Sequence, residues 1–152
     1  MLLINKVLHS FLLAFLVVFT TAAYAGEMKT TQGYLIHYNA LNTELIPPEV
    51  ARHYQITRSK SRALLTVVVL KPSSEKELLP KSVLAQVTAQ AVNLNQQLKT
   101  IDMQRIQEGE AIYYTGVFSV TNEEILDFTI KVQPENQSKP EEITFRQQFF
   151  VN

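Results

Sequence analysis

The sequence predicts an all-β domain: an immunoglobulin-like antiparallel β-sandwich of about seven strands with one short helix, preceded by a signal peptide helix. Three observations carry this. From residue 34 onward, apolar and polar residues alternate with period two in segment after segment. Turn-forming clusters divide those segments at the spacing of a sandwich. A single stretch, Pro47 to Tyr54, interrupts the alternation with a helical pattern.

Residues 1–25 read as a secretory leader. Asn5 and Lys6 form a short charged head, an apolar run is best developed from Phe11 to Phe19, and Ala23-Tyr24-Ala25 supplies a small-x-small cleavage site before Gly26. The unbroken apolar run is shorter than the roughly 20 residues needed to cross a bilayer. Polar Glu27, Lys29 and Thr30 follow it, so cleavage after Ala25 is expected rather than a retained anchor. Removing 25 of 152 residues leaves 127, residues 26–152, as a single domain large enough for its own core.

The strands are read in order. Tyr34, Ile36 and Tyr38 share one face of a first strand, with Leu35 and His37 on the other. Ala63 to Leu70 is a β-branched run expected to be buried on both faces or nearly so. Lys71 to Glu77 reads as an exposed loop. Val83, Ala85, Val87, Ala89 and Ala91 alternate with polar residues, and strict alternation favours a strand over the helix that Ala and Gln would also suit. Leu98 to Gln107 reads as one further strand. Ile112, Tyr114, Phe118 and Val120 then share a face, with Gly116 between them. After the turn Thr121 to Glu124, Leu126, Phe128, Ile130 and Val132 share another. Gln133 to Pro140 is a polar loop, and Ile143, Phe145, Phe149 and Val151 close the chain. Alternation alone leaves a small β-barrel open as the other closure.

The helix is expected from Pro47, Pro48 and Glu49, because proline suits a first turn and an acid there complements the helix dipole. The chain has no cysteine, which removes thiol nucleophiles, cysteine metal sites, disulfides and a lipid-bearing cysteine. With Lys6 cleaved away, 13 basic residues face 14 acidic ones. A charge near −1 gives no reason to expect nucleic-acid binding or a generally basic membrane-seeking surface.

Chemistry-bearing residues are sparse. His37 and His53 are the histidines left after cleavage, and Asp102 and Asp127 are the aspartates. No hydrolase elbow, zincin, phosphate-loop or EF-hand motif is present. The densest cationic cluster is Arg52, His53, Arg58, Lys60 and Arg62, with Tyr54 among them. In an extended chain Arg58, Lys60 and Arg62 would point to one side, a basic strip able to grip a carboxylate, a phosphate or an acidic surface. Such charges also protect a strand edge from aggregation. Glu108, Glu110, Glu123 and Glu124 fall on two turns at opposite ends of one strand and do not establish a calcium site. Tyr113 and Tyr114 point to opposite faces, one to the core and one outward.

Gly33-Tyr34-Leu35-Ile36-His37-Tyr38-Asn39-Ala40, Leu45-Ile46-Pro47-Pro48-Glu49-Val50-Ala51 and Tyr54-Gln55-Ile56-Thr57-Arg58-Ser59-Lys60 resemble segments of a family of small secreted proteins of Gram-negative bacteria, DUF4426, classed as a domain of unknown function. The resemblance continues through Glu108 to Tyr114 and the closing Phe145, Phe149 and Val151. It implies a periplasmic immunoglobulin-like domain and carries no activity. The expectation is therefore a non-catalytic binding module without a cofactor, presenting Arg52, His53, Tyr54, Arg58, Lys60 and Arg62 to an envelope protein or an anionic envelope component. An envelope hydrolase using His53 or a carboxylate pair, and assembly through the Phe-rich closing strand, are the alternatives.

Overall fold

The computed structural model describes residues 25–29, 33–71 and 79–151. The expected leader with Ala23, and the loop expected after Lys71, lie outside the described residues. Ten antiparallel strands are present among them: β1 (Ala25–Lys29), β2 (Leu35–Asn42), β3 (Arg62–Lys71), β4 (Lys81–Ser82), β5 (Ala85–Asn93), β6 (Leu98–Ile101), β7 (Gln104–Glu108), β8 (Ala111–Ser119), β9 (Glu124–Pro134) and β10 (Glu141–Phe149). One sheet runs β1-β2-β3-β8-β7, with β4 paired to β3, and the other runs β10-β9-β5-β6. No ladder joins the two sheets among the described residues, so the closure is a sandwich and not a barrel.

The alternating residues meet between the sheets as expected. Ile36, Ala40, Leu65, Val67 and Val69 from one sheet face Ala91, Leu126, Phe128, Ile130 and Val132 from the other, all of them buried. Phe128 stacks on Phe145 at 4.5 Å and meets Phe118 edge-on at 5.5 Å, so aromatic packing reinforces the apolar burial. Side-chain hydrogen bonds also cross between the sheets, among them that of Lys99 on β6 to the Ser119 carbonyl on β8. The Tyr114 hydroxyl accepts the Ala85 N–H at 2.7 Å, and Gln147 Nε2 donates to the Ala40 carbonyl at 2.8 Å. Tyr114 is thus the inward member of the tyrosine pair and Tyr113 the outer one.

Three readings of the sequence are corrected. Leu98 to Gln107 is two strands, β6 and β7, which belong to different sheets. The chain changes sheet at Asp102 and Met103, where a lone Asp is only a weak turn signal. The crossing lies on β8, where a Cβ at Gly116 would meet Ile101 Cγ2 at 2.5 Å and the Asp102 carbonyl at 2.9 Å. The determinant is the glycine on the neighbouring strand, which admits the close approach. Second, this split and the short strands β1 and β4 raise the count above the expected seven. Third, β9 extends to Pro134, which is fully buried, so the polar loop begins only at Glu135.

The helix expected near residue 48 is α1 (Pro48–His53). It ends in a Schellman closure: Ile56 N–H reaches the Ala51 carbonyl at 2.8 Å, Gln55 N–H reaches that of Arg52, and Gln55 takes the left-handed conformation at φ 56°. Ile46, Val50, Ala51 and Ile56 pack on Leu41 and Leu64, which point out of the core from β2 and β3. This covers the outer face of the larger sheet around Leu41 and Leu64. The chain therefore leaves β2 at one end of the sandwich, climbs that face through α1, and returns to the same end to begin β3.

Candidate functional site

The return segment is built from side-chain hydrogen bonds. Thr43, in a 3-10 turn (Thr43–Leu45), is fully buried. Its hydroxyl accepts the Ser59 N–H at 2.9 Å and shares its proton between the carbonyls of Thr57 and Ser59, at 3.0 and 3.1 Å. The two amide hydrogens of Asn42 serve the carbonyls of Lys60, at 3.0 Å, and Phe150, at 2.9 Å. Arg58 donates to the Glu44 carbonyl at 2.6 Å, and the Ser59 and Ser61 hydroxyls lie 3.0 Å apart. Val120 N–H closes on the Ser61 carbonyl. A segment without a core of its own is thus fixed in shape, with Arg58, Lys60 and Arg62 exposed on it.

The basic strip does not have the form expected of an extended chain. No strand covers residues 56–61, and the chain turns at Lys60 and Ser61 before β3 begins. Period-two alternation therefore does not set the direction of Arg58 and Lys60; the bonds to Asn42, Thr43 and Glu44 do. Arg62 pairs in register with Ser119 at the end of β8. It lies on the outer face, two residues before Leu64.

The six sequence candidates divide into two groups. Arg58, Lys60 and Arg62 gather at the end of the sandwich marked by Asn42, Ser119 and Glu124. His53 and Tyr54 lie towards the opposite end of β8, beside Glu108 on β7. His53 Nε2 is 3.2 Å from Glu108 Oε1, and its ring meets that of Tyr54 edge-on at 4.8 Å. Tyr54 also bonds to Glu108. Burial first, and then that bond and the negative charge, push its phenol far above the ordinary range. Tyr113 is raised likewise, by burial and then by Glu108. Arg52, exposed on the last turn of α1, has no side-chain partner among the described residues.

Glu124 anchors the first end. Burial alone would raise its carboxyl, but hydrogen bonds from Lys99, the Thr121 N–H and Asn93, together with the Lys99 charge, hold it below its ordinary value of 4.5. Lys99 Nζ is 2.9 Å from its Oε1 and 2.8 Å from the Ser119 carbonyl. Asn93 in turn organises the β5–β6 hairpin: its Oδ1 accepts the N–H groups of Asn95 and Gln97, both at 3.0 Å. Asp127, on the outer face of the smaller sheet, is held low by the hydrogen bonds of Arg146 at 2.6 and 2.7 Å.

Sequence reasoning missed Asn42, Thr43 and the link from Glu108 to His53 and Tyr54. Their partners lie 14 to 108 residues away, and no local pattern signals them. Among the described residues, no three His, Cys, Asp or Glu side chains gather as a metal-binding group. No helix among them is long and apolar enough to cross a membrane.

A family model described as a domain of unknown function, DUF4426, matches residues 28–152. The chain is similar to a solved DUF4426 family protein, PA0388 of Pseudomonas aeruginosa PAO1, with 26% identity and a TM-score of 0.70, covering 84% of this chain and 96% of that one. It shares its fold with FetP of uropathogenic Escherichia coli strain F11 at 8% identity and a TM-score of 0.57, covering 87% and 99% of the two chains. It also shares it with a copper-bound variant of P19 from Campylobacter jejuni at 9% identity and a TM-score of 0.52, covering 84% and 96%. No functionally curated protein matches the sequence.

Proposed function

We infer that this chain, which belongs to the DUF4426 family, is a periplasmic, non-catalytic binding module of the cell envelope. Its working surface is the Arg58–Arg62 segment, directed at an acidic protein partner or an anionic envelope component. The observation that carries this is the fixing of that segment by Asn42 and Thr43 while its cations stay exposed. A hydrogen-bonded loop loses little further conformational entropy on binding, which favours the bound state. Arg62 is exposed and has no side-chain partner among the described residues, which suits its charge to a ligand. The leader pattern supports export.

Copper is a property of the P19 variant, and a relation at 9% identity conveys the fold alone. Here His37 lies on β2, three strand positions from β7, where Glu108 faces His53. That donor arrangement gives no reason to propose a metal centre.

The test is a pull-down from periplasmic extract with wild type, Arg58→Glu/Arg62→Glu and Arg52→Glu. The double charge reversal is expected to lose the partner and Arg52→Glu to keep it. Identical partner sets for all three proteins remove the segment from consideration.

A further inference from the structure

Six large apolar side chains are markedly exposed among the described residues, and five of them lie at or near the end of the sandwich that carries Arg58, Lys60 and Arg62. Leu45 (68% exposed) ends the turn after Asn42, and Leu94 (61%) and Leu98 (61%) flank the β5–β6 hairpin. Phe150 (53%) follows β10, and Val117 stands on β8 beside Leu64. Leu79 is the exception, near β4 at the other end. Folding does not explain this placement. The hairpin is closed by Asn93, and the chain after β10 is held through the Phe150 carbonyl and by Val151 N–H on Asn122 Oδ1. None of those bonds uses the apolar side chains.

We propose that this end of the protein docks peripherally on an anionic phospholipid bilayer, a reading that rests on the binding role inferred above for the Arg58–Arg62 segment. Leu45, Leu94 and Phe150 enter the headgroup boundary, and Arg58, Lys60 and Arg62 meet lipid phosphates. Leu45, Leu94 and Phe150 come from three separate segments, the β2–β3 connection, the β5–β6 hairpin and the chain after β10, at the end of the sandwich that also carries the exposed cations. Interfacial attachment requires this mixture of apolar insertion and cationic contact. The hairpin tip carries its own hydrogen bonds, which lowers the cost of leaving bulk water. Among the described residues the acidic groups at this end are Glu44, Glu123 and Glu124, the last paired with Lys99, and the exposed Arg58 and Arg62 stand beside them on the 58–62 segment.

The experiment is co-sedimentation of the protein released by osmotic shock with vesicles of phosphatidylethanolamine and phosphatidylglycerol, against vesicles of phosphatidylcholine alone. Binding is expected to the anionic vesicles only. Leu94→Ser and Phe150→Ser are each expected to lower partitioning about tenfold, and Arg62→Glu about fivefold. Leu79→Ser, at the far end, is expected to leave it unchanged. Absence of binding to anionic vesicles, or binding indifferent to Leu94 and Phe150, overturns the proposal. If vesicles are not bound but Arg58→Glu/Arg62→Glu still loses a protein partner from extract, the membrane inference fails and the binding reading stands. If charge reversal alters neither, both fail.

Discussion

The two ends of the sandwich use polar side chains in opposite ways. At the Glu124 end, Asn42, Thr43, Asn93 and Lys99 act on the backbone, closing loops and fixing turns, while the cations and apolar side chains beyond them are left outward. At the Glu108 end, the conspicuous groups act on one another: His53 and Tyr54 both converge on one carboxylate, beside Tyr113. Where the main chain is over-determined, surface side chains can be chosen for contacts outside the protein. Where exposed groups satisfy each other, less is available to a partner.

The strongest way to break this contrast is to remove the hub. Thr43→Val keeps the shape and deletes the hydroxyl, leaving the Ser59 N–H and two carbonyls without that partner in a part-buried setting. We expect a loss of about 2–3 kcal/mol in urea unfolding. A loss within error would mean that the 57–61 segment is not held as described.

Glu124 gives the next largest effect, and its sign is defined. Its folded pKa lies below the ordinary carboxylate value, so the stabilisation is fully present above about pH 5 and is lost as pH falls through the lowered value. Glu124→Gln should cost about 1–2 kcal/mol at neutral pH, and less in acid. Parallel pH–stability curves for the two proteins would contradict the assignment.

At the other end the expected effects are spectroscopic. Glu108→Gln removes the negative charge that opposes tyrosinate formation at Tyr54 and Tyr113. Both phenols should then titrate lower in an ultraviolet pH titration, while burial still holds them above ordinary tyrosine. An unchanged titration would separate them from Glu108. Smallest of all, His53→Ala breaks a pair whose histidine is 67% exposed, and should change stability by about 0.5 kcal/mol or less.

Much of the sandwich was legible because burial imposes period two on each strand: Leu126, Phe128, Ile130 and Val132 are buried as their alternation required. The helix was legible from Pro48 and Glu49. The sheet change at Asp102 was not, because its determinant is Gly116 on another strand. The cationic residues were visible as a cluster, but not their arrangement. Alternation extrapolated through Lys60 and Ser61 fails where long-range bonds from Asn42 and Thr43 set the chain path. Local patterns encode which face is apolar; they do not encode which carbonyl a distant hydroxyl reaches.

The most direct test of the central claim is amide chemical-shift mapping of the protein on titration with phosphatidylglycerol-containing bicelles. The account predicts perturbations confined to residues 43–45, 57–62, 93–98 and 150, with His53, Tyr54 and Glu108 unmoved. Perturbations centred on His53, Tyr54 and Glu108, with the other end silent, would contradict it.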